Sequence, residues 1–152
     1  MITRRISVRG VALHEGKLLA VRLKPYNEVS LNMQQSWCLP GGGLVDGESL
    51  TDGIKREMLE ETGVYPVVGT LLYIQQFSYN QVDYLEFFFH ITNGEDYQNI
   101  DLAKTSHGAA ELEEIAYVDA GSTPLLPVFL MKENLLDKVI AEAPASIFSY
   151  PD

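Results

Sequence analysis

The sequence predicts an α/β chain in which a mixed β-sheet carries helices on both faces. Three observations point there. Apolar, β-favouring runs recur along the chain, a capped amphipathic helix interrupts them near its middle, and a second helix is expected toward the C-terminus. No internal repeat, low-complexity tract or long linker divides the 152 residues, so 1–152 is expected to be one domain with a sizeable core.

The elements follow in order. Val8–Leu13 and Lys17–Leu23 are apolar runs on either side of His14-Glu15-Gly16, which predicts a hairpin. Pro40-Gly41-Gly42-Gly43 is expected to be a loop, because three glycines disfavour both helix and strand. Ser49 is a good N-cap, Asp52 puts an acid in the first turn and Gly63 is the expected stop, so a helix runs from there to Thr62. Val67–Gln76 and Tyr84–Thr92 read as strands, the second apolar on both faces through Phe87, Phe88 and Phe89 and therefore central and buried. An acidic, irregular stretch covers Gly94–Gly108, and a short strand lies around Ile115–Val118. The closing helix is expected over Pro127–Ala141, with Pro127 at its first position and Leu135, Leu136, Val139 and Ile140 as its apolar face.

Bulk chemistry narrows the function classes. A composition of 46% hydrophobic and 10% aromatic residues is that of an ordinary globular protein. No apolar run approaches the roughly 20 residues of a membrane span, and Met1–Gly10 lacks the apolar stretch of a signal peptide, so a cytoplasmic protein is expected. Cys38 is the only cysteine, which excludes an intrachain disulfide; it lies in Trp37-Cys38-Leu39, where a small buried residue is expected. Net charge is −10, with 21 acidic residues against 11 basic, so a broad grip on a nucleic-acid polymer is disfavoured and an anionic ligand must be held locally, by a few cations or a metal ion.

The informative segment is the helix after Ser49. At about 100° per residue, Leu50, Ile54 and Met58 fall at roughly 0°, 40° and 80° and mark its core side. On the same wheel Glu61 falls at roughly 20°, Glu57 at roughly 340° and Glu60 at roughly 280°. Glu61 therefore points into the apolar stripe, with its two companions beside it. A helix that needed only solubility would carry its acids on the opposite face. Burying ionised carboxylates without counter-charge costs several kcal/mol, whereas hard divalent cations take oxygen ligands, so the cluster reads as a metal site. Arg56 is close enough in sequence to orient a carboxylate by a bidentate pair. The glycine loop adds backbone that can approach a ligand closely.

These residues match a known pattern. Gly42, five residues, Glu48, seven residues, then Arg56-Glu57-Met58-Leu59-Glu60-Glu61-Thr62-Gly63-Val64 resembles the Nudix box over 42–64, with Met58 as a bulky aliphatic. The resemblance to this hydrolase family, which includes MutT-like proteins, implies an α/β/α sandwich. It also implies Mg²⁺ or Mn²⁺ and hydrolysis of a nucleoside diphosphate linked to another group X: a nucleotide sugar, ADP-ribose or a nucleoside triphosphate. By the same match Glu57, Glu60 and Glu61 would ligate metal, Arg56 would orient a carboxylate, Glu48 would support the loop, and the Gly41 carbonyl would complete the coordination. Val45 stands where a further acid is common in the family, so no ligand is carried onto it. A glutamate outside the box is expected to add a ligand or the general base, and Glu111 and Glu114 are the candidates. A non-catalytic nucleotide-binding module on the same fold is the alternative, and degenerate relatives of that kind usually lose box glutamates; none is lost here.

The substrate is a small nucleotide derivative whose identity the sequence leaves open, and either a monomer or a homodimer is compatible. Gly42 and Gly43 are backbone candidates for contacting it. Tyr26, Trp37, Phe77, Tyr79 and Tyr84 are candidates for stacking on a base, against the commoner fate of aromatic core. Arg5, Arg9, Arg22 and Lys24 are candidates for phosphate, against pairing with surface acids. His107 is a possible acid or base in its loop, while His14 and His90 have no motif around them.

Overall fold

The computed structural model describes residues 1–25 and 35–150. Its strands are β1 (Thr3–His14), β2 (Lys17–Leu23), β3 (Trp37–Cys38), β4 (Gly41–Gly43), β5 (Val68–Tyr79), β6 (Val82–Ile91), β7 (Leu112–Val118), β8 (Leu125–Leu126) and β9 (Ser146–Tyr150). The α-helices that lie wholly among the described residues are α1 (Leu50–Thr62), α2 (Gly108–Glu111) and α3 (Leu135–Ile140). β1 runs parallel to β6 from Thr3 to Ala12 and antiparallel to β2 only at Leu13 and His14, so this long strand links two parts of a curled, mixed sheet. The path is β8-β3-β2-β1-β6-β5-β9, with β4 added on β1 and β7 on β2.

The turn between β1 and β2 is Glu15-Gly16, and that between β5 and β6 is Asn80-Gln81. All four residues have positive φ, the two-residue geometry whose twist matches the strands it joins. β6 is central as expected, paired to β1 on one side and β5 on the other, with Phe88, Phe89 and Ile91 buried.

Strand alternation sends side chains to two cores. Val8 and Ala12 of β1 and Leu19 of β2 pack with Ile54 and Met58 of α1. Val11, Leu18 and Ala20 go the other way, to Phe129, Leu130 and Leu135 near the C-terminus. Helical segments thus cover both faces. A register shift between Leu71 and Tyr73 lets β5 send Leu71 to the first core and both Leu72 and Tyr73 to the second.

Three expectations are corrected. Gly41–Gly43 is a strand, paired antiparallel with Ser7–Arg9 through the backbone, which needs no side chains. The helix expected over Pro127–Ala141 is broken. Pro127 is extended, Val128–Met131 forms a 3-10 turn, and Asn134 starts a new helix by accepting the Asp137 N–H on its side chain. Leu136 and Ile140 are then exposed, while Leu135 is buried. β9, unanticipated, closes the sheet alongside β5. No helix among the described residues is long and apolar enough to cross a membrane.

Candidate active site

Helix α1 is built as its termini dictate. The Ser49 hydroxyl accepts from the Asp52 N–H at 3.1 Å, and Gly63, with φ of 74°, donates its N–H to the Leu59 carbonyl at 2.8 Å. With the ends set, the wheel holds. Ile54 and Met58 are fully buried and Glu61 is 4% exposed among them. The Glu57 side chain is 12% exposed and that of Glu60 25%, the order in which they turn away from the core.

Arg56 joins the acids. Its Nε and Nη2 donate to the two Glu48 oxygens at 2.7 and 2.9 Å, a bidentate pair. Nη1 donates to Glu57 at 3.0 Å and to Glu60 at 3.1 Å, and Nη2 also reaches the Gly43 carbonyl at 3.0 Å. The hydrogen bond from Arg56 holds the Glu48 carboxyl below its ordinary range. One guanidinium therefore ties the loop, two glutamates and the glycine strand into a single unit.

The glycines of β4 are required by this packing. Gly41 has φ of 140°, and a Cβ there would lie 2.0 Å from the Val8 carbonyl oxygen. A Cβ at Gly42 would lie 2.8 Å from a Glu57 carboxylate oxygen, so the carboxylate rests directly on the backbone. Glu61 accepts the Gly41 N–H at 3.1 Å. Burial pushes the Glu61 carboxyl up to about 8, with Glu57 and Glu111 adding to the shift and Arg9 and the Gly41 N–H opposing it. Burial also raises Glu57.

The segment after β6 returns to the C-terminal end of α1. His107 donates its N–H to the Glu60 carbonyl at 3.0 Å, and its Nδ1 lies 3.5 Å from a Glu60 carboxylate oxygen. This carries Glu111, at the end of α2, close enough for its charge to act on Glu61. Glu114 goes elsewhere, to an exposed pair with Arg22 at 3.0 Å. Arg22 lies over the Trp37 ring, and Lys24 donates to the Ala109 carbonyl. The structure therefore brings Glu48, Arg56, Glu57, Glu60, Glu61, Gly41, Gly42, Gly43 and Glu111 together, and holds Arg22 and Glu114 in a separate pair.

Beside this cluster lies a cavity of about 1090 Å³. Phe77, Tyr79, Phe88 and Phe148 contribute flat apolar walls, with Tyr79 exposed. Arg9 belongs to both sites. Its Nη1 donates to the carbonyls of Gly41 at 3.1 Å and Leu39 at 3.2 Å, and its Nε donates to Glu86 at 3.1 Å on the cavity floor. Gln75 completes the floor by donating Nε2 to the other Glu86 oxygen at 3.0 Å. Sequence reasoning missed Glu86 and Gln75. The signal was present: Glu86 is a lone charge inside the strand read as buried on both faces.

Cys38 also lines the cavity, half-buried, and burial pushes its thiol up to about 11, which keeps it protonated and unreactive. Tyr84 stacks on Phe77 at 4.7 Å, and the Arg5 guanidinium stands 3.5 Å from where a Gly43 Cβ would be. His14 lies against Tyr117, and burial lowers His90. Tyr26 falls outside the described residues.

The donor set suits a hard cation: three carboxylates and the Gly41 carbonyl, all oxygen. Among the described residues no three acidic, histidine or cysteine side chains close around one point. Glu57 and Glu60 turn to Arg56, and Glu61 turns to the Gly41 N–H. The fit lies in the chemistry of the donors, because Glu61 is a carboxyl raised chiefly by burial, and Glu57 packs against the Gly42 backbone, where a Cβ would leave it no place.

Comparison with known proteins follows the same lines. A family model described as the NUDIX domain matches residues 3–129. The MutT protein from Methanosarcina mazei is 25% identical, with 90% of this chain and 96% of that one covered at a TM-score of 0.67. An ADP-ribose pyrophosphatase from Streptococcus suis is 16% identical, with 95% and 98% covered at a TM-score of 0.62, a likeness of fold. An RNA pyrophosphohydrolase from Bartonella quintana is 42% identical over 52 residues, which span 34% of this chain and 30% of that protein. With the match running from β1 into the 3-10 turn after β8 and the box residues gathered around Arg56, the chain belongs to the NUDIX domain family.

Proposed function

We propose that this protein hydrolyses a pyrophosphate bond in a small nucleoside diphosphate derivative, with Mg²⁺ or Mn²⁺ held by Glu57, Glu60, Glu61 and the Gly41 carbonyl. The observation that carries the reading is the continuity of carboxylate cluster and cavity through Arg9, which contacts Gly41 on one side and Glu86 on the other. A ligand with an anionic linkage and a flat group would span both. When bound, the ion supplies neutralising charge for the linkage and acidifies water for attack at phosphorus.

The protein's own groups do the rest. Arg56 holds Glu57 and Glu60 beside each other through Nη1 and is itself anchored by Glu48, so the two carboxylates would turn to an ion from a common, fixed support. Glu111 is the out-of-box acid of choice for taking the water proton, since its charge reaches Glu61; Glu114 is engaged with Arg22. Gly42 and Gly43 offer backbone to the phosphates, and Tyr79 stands at the cavity. The acidic balance of the chain favours a small cytoplasmic nucleotide over an RNA polymer, although one relative is named an RNA pyrophosphohydrolase.

Purified protein incubated with nucleoside triphosphates, ADP-ribose, nucleotide sugars and 5′-triphosphorylated RNA tests this. Phosphate, pyrophosphate or monophosphate release that needs Mg²⁺ or Mn²⁺ and stops in EDTA is expected for a small nucleotide. Silence across the whole set would overturn the reading and leave a nucleotide-binding module.

A further inference from the structure

The cavity has apolar walls and a charged floor, and stability does not explain the floor. Glu86 is 8% exposed and Gln75 5%, paired across the neighbouring strands β6 and β5, with Glu86 next to the phenylalanines of an otherwise apolar run. Well-packed apolar residues would serve the fold as well as a buried ion pair or better. The trio instead has the form of a reading device.

Its bonds are ordered so that one set of groups faces the cavity. A carboxylate only accepts, so Glu86 takes the Gln75 Nε2 at 3.0 Å on one oxygen and the Arg9 Nε at 3.1 Å on the other. This fixes which way the Gln75 amide points. Its Oε1 is an acceptor, and Arg9 Nη2 is a donor, and neither has a hydrogen-bond partner among the described residues. Both residues line the cavity, as do the rings of Phe77, Phe88 and Phe148.

We infer that Gln75, Arg9 and Glu86 select a nucleobase bearing an exocyclic amino group next to a ring acceptor nitrogen. The inference rests on the reading that the cavity holds the base of a nucleotide. The amino N–H of the base donates to Gln75 Oε1, its ring nitrogen accepts from Arg9 Nη2, and the aromatic walls take its faces. Glu86 is the positioning residue, because its bond to Nε2 sets which way the Gln75 amide points. Cytosine and adenine have the required edge. Uracil and hypoxanthine put a carbonyl where the amino group should be and an N–H where the acceptor should be, which sets acceptor against acceptor and donor against donor.

The test uses matched pairs on the full chain. Binding of cytidine against uridine and adenosine against inosine is measured by calorimetry in EDTA, and kcat/KM for the corresponding triphosphates is measured with Mg²⁺. Wild type is expected to prefer the amino member of each pair by about 10-fold or more, the worth of one misplaced buried hydrogen bond. Glu86→Gln keeps the volume but lets the Gln75 amide turn, and Gln75→Met removes the amide; each should bring the preference to within about 3-fold, with the melting response to Mg²⁺ reporting that the fold is intact. The wild-type preference needs no variant and stands if either fails to fold. Nucleotide hydrolysis with no preference, or with preference for the keto members, would overturn this inference and leave the hydrolase reading standing. Discrimination among the nucleosides in EDTA without hydrolysis of any nucleotide would do the reverse.

Discussion

Glu61→Gln in metal-free protein is the sharpest perturbation, because one buried carboxyl then governs how stability varies with pH. The Glu61 carboxyl sits at about 8 in the folded chain against an ordinary 4.5, with burial the first cause. Below 4.5 both folded and unfolded states carry the proton and the group contributes nothing. As pH rises through the unfolded value, the unfolded chain ionises while the folded one holds its proton, and stability falls by about 1.4 kcal/mol per pH unit until the folded group ionises as well. At pH 7 the accumulated loss is about 3 kcal/mol. Glutamine cannot ionise and its Oε1 can still accept the Gly41 N–H. In EDTA the variant should therefore lose this pH dependence and melt above wild type at pH 7, by roughly 6–12 °C for a chain of this size, with the gap closing near pH 4.5. Urea denaturation and thermal melting from pH 4.5 to 8.5 measure it. Parallel curves for the two proteins would show that Glu61 is ionised beside Arg9 and would refute the burial argument.

Three further outcomes follow from the same geometry. Ligation requires the Glu61 proton to leave, so the apparent affinity for Mg²⁺, read as the rise in melting temperature over EDTA, should strengthen from pH 6 to pH 8 and then level off. Arg56→Lys keeps the charge but cannot make the fork to Glu48 while reaching Glu57, Glu60 and the Gly43 carbonyl, and should cost turnover about 10–100-fold with a far smaller effect on melting. Gly42→Ala pushes a Cβ to 2.8 Å from the Glu57 carboxylate, whose flexible end can move, so the variant should fold yet lose turnover; Gly41→Ala meets the Val8 carbonyl at 2.0 Å with φ of 140° and should fail to fold stably, which circular dichroism separates.

By itself the sequence determined what local physics decides. Helix α1 is legible residue by residue, since its cap, stop and wheel depend on neighbours within a few positions, and they place Glu61 among Ile54 and Met58 before any fold is known. The central strand is legible for the same reason: a run apolar on both sides has only one place to go. The box residues around Arg56 lie within 23 positions of one another, so their association needs little of the rest of the chain. The tertiary structure decided whatever depends on distant pairing. Gly41–Gly43 becomes a strand because Ser7–Arg9 presents an open edge to it. The helix expected after Pro127 breaks at Asn134, where a side-chain cap outweighs an apolar period whose partner face is only partly there. Glu111 and Glu114 are three residues apart in the sequence, and only the register of β7 against β2 pairs the second with Arg22 while the first, before the strand, stays near Glu61. The cavity floor is the clearest case. Arg9, Gln75 and Glu86 come from three strands and meet because β6 lies parallel to β1 and antiparallel to β5, a register set by the burial of whole strand faces and carried by no short motif.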